Sequence, residues 1–140
     1  MSNVSPLHPL TTTVVPEDQI TVARVSAVLD SAFIDHQLED DDDIYVTDVM
    51  AYPVWINLDR QSKLLMLVTY FEPEAGPISN WLEKVNELNA KIVLPQFCYR
   101  EGGLWGCYWL SYDGGLNVRH FIKLLRRFAE AFRSGVEQLR

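Results

Sequence analysis

The chain has 140 residues, the size of one domain, and with 48% apolar residues it can hold a core without a disulfide or a metal. A net charge of −7 argues against nucleic acid and anionic membrane as partners. No run approaches the ~20 apolar residues of a membrane span, and the N-terminus lacks the basic and apolar blocks of a secretory leader, so the expected location is the cytoplasm.

Residues 1–18, with Pro6, Pro9 and Pro16 among Ser and Thr, are expected to form a flexible arm, and residues 19–140 a single α+β domain. From Thr21 to Phe33, Val22, Val25, Val28, Leu29, Ala32 and Phe33 fall at helical spacing, with Thr21 as N-cap. The contiguous carboxylates Glu39 to Asp43 repel one another and predict a solvated connection. Ile44–Thr47 is rich in β-branched and aromatic residues and predicts a short strand. Tyr52–Leu58 alternates, and Lys63–Phe71 is apolar on both faces. The short polar link 59–62 makes these two an antiparallel hairpin.

The Pro- and Gly-bearing stretch 72–77 ends the sheet run. Ile78, Trp81, Leu82, Val85 and Leu88 then mark a second helix, with Pro77 in its first turn and Asn89 at its end. Two further strands, Ile92–Tyr99 and Leu104–Tyr112, meet at the Gly102-Gly103 turn, and Pro95 restricts the first to an edge or bulge. Asn117 caps a long last helix. Its apolar stripe is Val118, Phe121, Ile122, Leu125, Phe128, Ala129 and Phe132, and Arg119, Lys123, Arg126, Arg127 and Arg133 lie opposite. The predicted fold is α+β, in the order α-β-β-β-α-β-β-α, with a five-stranded antiparallel sheet flanked by helices.

This order resembles the YbjN family of bacterial proteins, often labelled sensory-transduction regulators. The strings that carry the resemblance are Tyr52-Pro53-Val54-Trp55-Ile56-Asn57-Leu58-Asp59-Arg60, Lys63-Leu64-Leu65-Met66-Leu67, Leu88-Asn89-Ala90 and Leu104-Trp105. It covers about residues 21–135. It implies a fold like that of type III secretion chaperones and, by fold analogy alone, protein binding. The family has no agreed biochemical activity, so no catalytic residue is carried over.

The residues that could carry chemistry have ordinary explanations. The acidic run lacks the alternation and glycine of a calcium loop. His8, His36 and His120 have no second ligand at metal spacing, and His36 is read as the end of the first helix. No serine stands in a G-x-S-x-G setting, and the glycine pairs belong to turns, not to a phosphate loop. Cys98 and Cys107 are expected to be small buried hydrophobes, with a redox pair as the alternative because they flank one hairpin. No cofactor, metal or nucleic acid is expected. Charge is also uneven: residues 1–87 hold 4 Lys/Arg against 15 Asp/Glu, and residues 88–140 hold 8 against 4. The acidic front half could therefore meet the basic last helix, in the same chain or in a second copy.

One surface resists dismissal. The even-length turn at 59–62 puts Trp55 and Asn57 on the same side as Leu64, Met66 and Val68. Trp105, Cys107 and Trp109 share one side of the fifth strand. If the two groups join, Trp55, Met66, Trp105 and Trp109 mark a face that is either buried by one of the chain's own helices or used for a second subunit or a protein partner. The competing expectation is a small-ligand or enzymatic domain with an acidic site near Asp48 or Asp59.

Overall fold

In the computed structural model, residues 13–40, 42–47, 52–73 and 80–139 are described. The strands are β1 (Val14–Val15), β2 (His36–Leu38), β3 (Asp43–Val46), β4 (Val54–Asp59), β5 (Leu64–Phe71), β6 (Gln96–Arg100), β7 (Gly103–Ser111) and β8 (Leu116–Asn117). The helices are α1 (Val22–Ser31), α2 (Trp81–Lys91) and α3 (Val118–Leu139). Six strands form one antiparallel sheet in the order β2-β3-β4-β5-β7-β6, while β1 and β8 pair separately. The class and element types match the expectation, but the main sheet has six strands instead of five. The extra strand is β2, three residues too short to show a periodicity.

Local chemistry explains most boundaries. The Thr21 hydroxyl accepts the Arg24 N–H at 3.1 Å and starts α1. That helix stops earlier than its apolar pattern implies. Phe33 adopts a left-handed backbone (φ 59°), its N–H bonds Asp30 O, and the Ile34 N–H bonds Leu29 O. This closing turn throws the Phe33 ring outward, 90% exposed, instead of into the core stripe. His36 is accordingly in β2, not at a helix end, and its ring bonds Ser26 Oγ at 2.6 Å and Ile34 O at 2.9 Å. The acidic run makes the β2–β3 turn, closed by the Glu39 N–H on Asp43 O, with Asp43 already in β3. Asp41 lies outside the described residues, as do Pro77 and Ile78.

Helix α2 continues past Asn89 to Lys91. The Asn89 amide does not cap it: it donates to Phe97 O and accepts from Phe97 N, both at 2.9 Å, and so ties α2 to β6. Asn117 does cap α3, accepting the His120 N–H at 2.8 Å. Pro95 precedes the edge strand β6, as its missing N–H requires. The last part of the expected arm is built into the fold. Val15 is fully buried beside β8, and Glu17 accepts the Gly114 N–H and pairs with Lys63.

All three helices pack on one face of the sheet. The larger core joins Val25, Val28 and Leu29 of α1 and Phe121, Leu125 and Phe128 of α3 to Ile44, Ile56, Leu65 and Leu67. A second cluster joins Trp81, Val85 and Leu88 of α2 and Phe132 and Val136 of α3 to Phe97 and Leu104. Close approach there depends on glycine. A Cβ on Gly106 would meet the Phe132 ring at 2.6 Å, and one on Gly135 would meet the Phe97 ring at 2.7 Å. The two rings stack at 5.9 Å.

Candidate functional site

The sheet's other face is built by strand register. Opposed residues in antiparallel strands project to the same side. The pairs Trp55↔Val68, Asn57↔Met66, Met66↔Trp109, Val68↔Cys107 and Tyr70↔Trp105 therefore carry one continuous surface across β4, β5 and β7. Tyr45↔Trp55 extends it to β3 and Cys98↔Trp105 to β6. Burial alternates accordingly: Val54, Ile56 and Leu58 are buried, while Trp55, Asn57 and Asp59 between them are half-buried. None of Trp55, Met66, Tyr70 and Trp105 belongs to either core cluster. Trp109 is 48% exposed.

Four rings on this face stand in a row. Tyr45 stacks on Trp55 (centroids 5.2 Å apart), Trp55 on Tyr70 (5.9 Å), and Tyr70 on Trp105 (5.0 Å), all within 23° of parallel. The Arg100 guanidinium caps the row 4.4 Å from the Trp105 ring, and the Trp105 indole donates to Arg100 O at 3.1 Å. Each interior ring has both faces covered by neighbours, so it presents its edge outward. Trp55 and Tyr70 therefore offer no free flat face to an inserted base, the arrangement that single-stranded nucleic acid binding uses. The row instead offers a firm apolar ridge flanked by the Asn57–Asp43 side-chain pair (2.6 Å) and by a recess of about 360 Å³ lined by Glu72, Arg100 and Glu101 besides the rings.

Trp55, Met66, Trp105 and Trp109 lie on one face: turn parity places Trp55 with Met66, alternation places Trp105 with Trp109, and the β5–β7 pairing joins the two groups. Tyr45, Tyr70 and Arg100 were missed. The first two had a signal, since Tyr45 alternates with Ile44 and Val46 in its strand and Tyr70 continues the alternation of Met66 and Val68. Arg100 had none, because its contact depends on the β6–β7 pairing. Cys98 and Cys107 are not buried. Both are free, partly exposed thiols on this face, and partial burial together with the neighbouring Cys98 pushes the Cys107 thiol pKa up. Of the acidic pair considered for catalysis, Asp48 lies outside the described residues, and Asp59 accepts the Ser62 N–H within its own turn. Among the described residues, no three His, Cys, Asp or Glu side chains gather as a metal site, and no helix is long and apolar enough to cross a membrane.

A one-sided helical cover over an antiparallel sheet, whose opposite face carries a row of aromatic rings, is an α+β architecture that resembles type III secretion chaperones in fold. The chain belongs to the YbjN family: the family model, described as "Putative bacterial sensory transduction regulator", matches residues 21–140. In fold it is similar to the crystal structure of YbjN from E. coli, with a TM-score of 0.65 at 15% identity, over 83% of this chain and 88% of that one. It is likewise similar to a chain of the HopA1–SchA chaperone–effector complex, with a TM-score of 0.62 at 14% identity, over 83% of this chain and 94% of that one. No curated protein matches the sequence.

Proposed function

We propose that this chain is a non-enzymatic protein-binding module of the bacterial cytoplasm, a chaperone-like or regulatory adapter that works as a homodimer and holds its partner on the open sheet face. The observation that carries the reading is the row Tyr45–Trp55–Tyr70–Trp105, continued by Met66 and Trp109, on a face outside both core clusters. Soluble proteins seldom leave several adjacent large apolar side chains wet unless something binds them, and Trp, Tyr, Met and Arg are the residues enriched at interfaces. Similarity of fold to a chain of a chaperone–effector complex supports a protein as the occupant.

The test is affinity capture from native lysate, comparing the full chain with Trp55→Asp, each first shown to fold by circular dichroism. Loss of the captured partner in the variant is expected. A partner held equally well by both proteins would remove the sheet face from the reading, and sedimentation of the full chain as a monomer at micromolar concentration would remove the homodimer.

A further inference from the structure

On the helix side, α3 and the 92–95 connection border a groove of about 940 Å³. Leu94, Tyr108 and Leu124 form its apolar wall, and Val93 stands fully exposed at its lip. His120, Lys123, Arg126 and Arg127 line the rest, and no described Asp or Glu does. Further along the same helix, Arg133 is held by Glu130 and Glu137. Lys123, Arg126 and Arg127 have no ion pair among the described residues. Cations left without counter-charge in a protein of net charge −7 mark a site for an acidic group.

The chain carries a matching group. At the β2–β3 turn, Glu39, Asp40 and Asp42 are exposed and make no ion pair among the described residues. Immediately before them, Leu38 is 56% exposed. Leu38 lies opposite buried Ile44 in register, so it projects to the helix side of the sheet, the side that carries the groove. The turn is thus an acidic tip with an apolar residue at its base, complementary to a basic groove with an apolar lip. It cannot fill its own groove. β3 is hydrogen-bonded to β4, and β4 and β5 separate it from β7, which bears Tyr108. Three strand spacings put these strands roughly 14 Å apart in a rigid sheet.

We infer that the acidic β2–β3 turn of one copy docks in the basic α3 groove of a second copy, with Leu38 against Val93 and Leu94. This rests on the homodimer part of the proposed function and leaves the aromatic face free for the partner. If each copy gives its turn and receives the other's, both contacts form within one closed pair.

The experiment is sedimentation of the full chain at tens of micromolar, at about 0.02 M and about 0.5 M salt. A dimer is expected whose dissociation constant rises at least about tenfold at the higher salt. The double variants Lys123→Glu/Arg127→Glu and Asp40→Lys/Asp42→Lys change exposed side chains, and each is expected to weaken the dimer about 100-fold by placing like charges together. An equimolar mixture of the two variants restores both contacts, and its dissociation constant should return to within about tenfold of the original. A dimer indifferent to both variants would overturn the docking while leaving the homodimer standing. A monomer at both salt concentrations would overturn both, with partner binding on the sheet face untouched.

Discussion

The two faces of the sheet are made from the same strands and almost the same residue classes, yet they do different things. On the covered face, Leu65, Leu67 and Leu104 are fully buried, and Gly106 exists so that the Phe132 ring can lie against the backbone. On the open face one residue away along each strand, Met66, Val68 and Trp105 are half-buried and lie opposite Trp109, Cys107 and Tyr70. Apolar content therefore does not separate core from surface in this protein. What separates them is what each side chain meets: the covered face packs against helices, with Gly106 leaving room for the Phe132 ring, and the open face sets Tyr45, Trp55, Tyr70 and Trp105 against one another in a stacked row.

That contrast makes graded expectations. The largest effect belongs to the covered face. Phe128→Ala removes a fully buried ring from α3 and should cost about 3–5 kcal/mol, read from urea unfolding. A loss under about 1 kcal/mol would mean that the helix cover is loosely packed. Next come two neighbours on β7. Gly106→Val drives side-chain atoms into Phe132 and should cost about 3 kcal/mol, whereas Cys107→Val on the open face should change stability by less than about 1 kcal/mol. Equal effects would erase the distinction between the faces.

Trp55→Ala is smaller again. It removes two ring stacks, with Tyr45 and Tyr70, and should cost about 1–2 kcal/mol in thermal unfolding. A loss as large as that of Phe128→Ala would make the ring row a structural core instead of a binding surface.

The smallest effect concerns the clasp at the sheet's end. The Lys63 ammonium and the Gly114 N–H hold the Glu17 carboxyl below its ordinary pKa of 4.5, and Glu17 in turn raises Lys63 above 10.5. A lowered carboxylate pKa contributes stability above 4.5 that is lost as pH falls through the lower folded value. The raised lysine contributes stability below 10.5 that is lost as pH rises through its folded value. The difference in melting temperature between the original chain and Glu17→Gln should therefore be flat at neutral pH and shrink in acid. A difference that grows in acid would contradict the pairing. Both side chains remain partly open to solvent, so the effect is small throughout.

Much of the fold was legible because its signals are local. Thr21 and Asn117 announce helix starts by side chains that accept a backbone N–H three residues on. The parity of the 59–62 turn is enough to place Trp55 with Met66, because side chains alternate with period two and the turn fixes register. Periodicity misled where backbone closure overrode it. Phe33 continues the apolar stripe of α1 but takes the left-handed position at the helix end, and Asn89, two residues before the end of α2, is used to hold β6.

What the sequence by itself determined was which residues share a face within each strand, since alternation is a property of the chain alone. Only the tertiary structure decided that β5 pairs with β7, and this joins Tyr70 to Trp105 and completes the ring row. It also decided that all three helices cover the same face. The cause is the same in both cases. Strand order and helix placement follow from how the apolar faces bury one another at long range, and a one-dimensional pattern of two apolar faces does not say which of them the helices will cover.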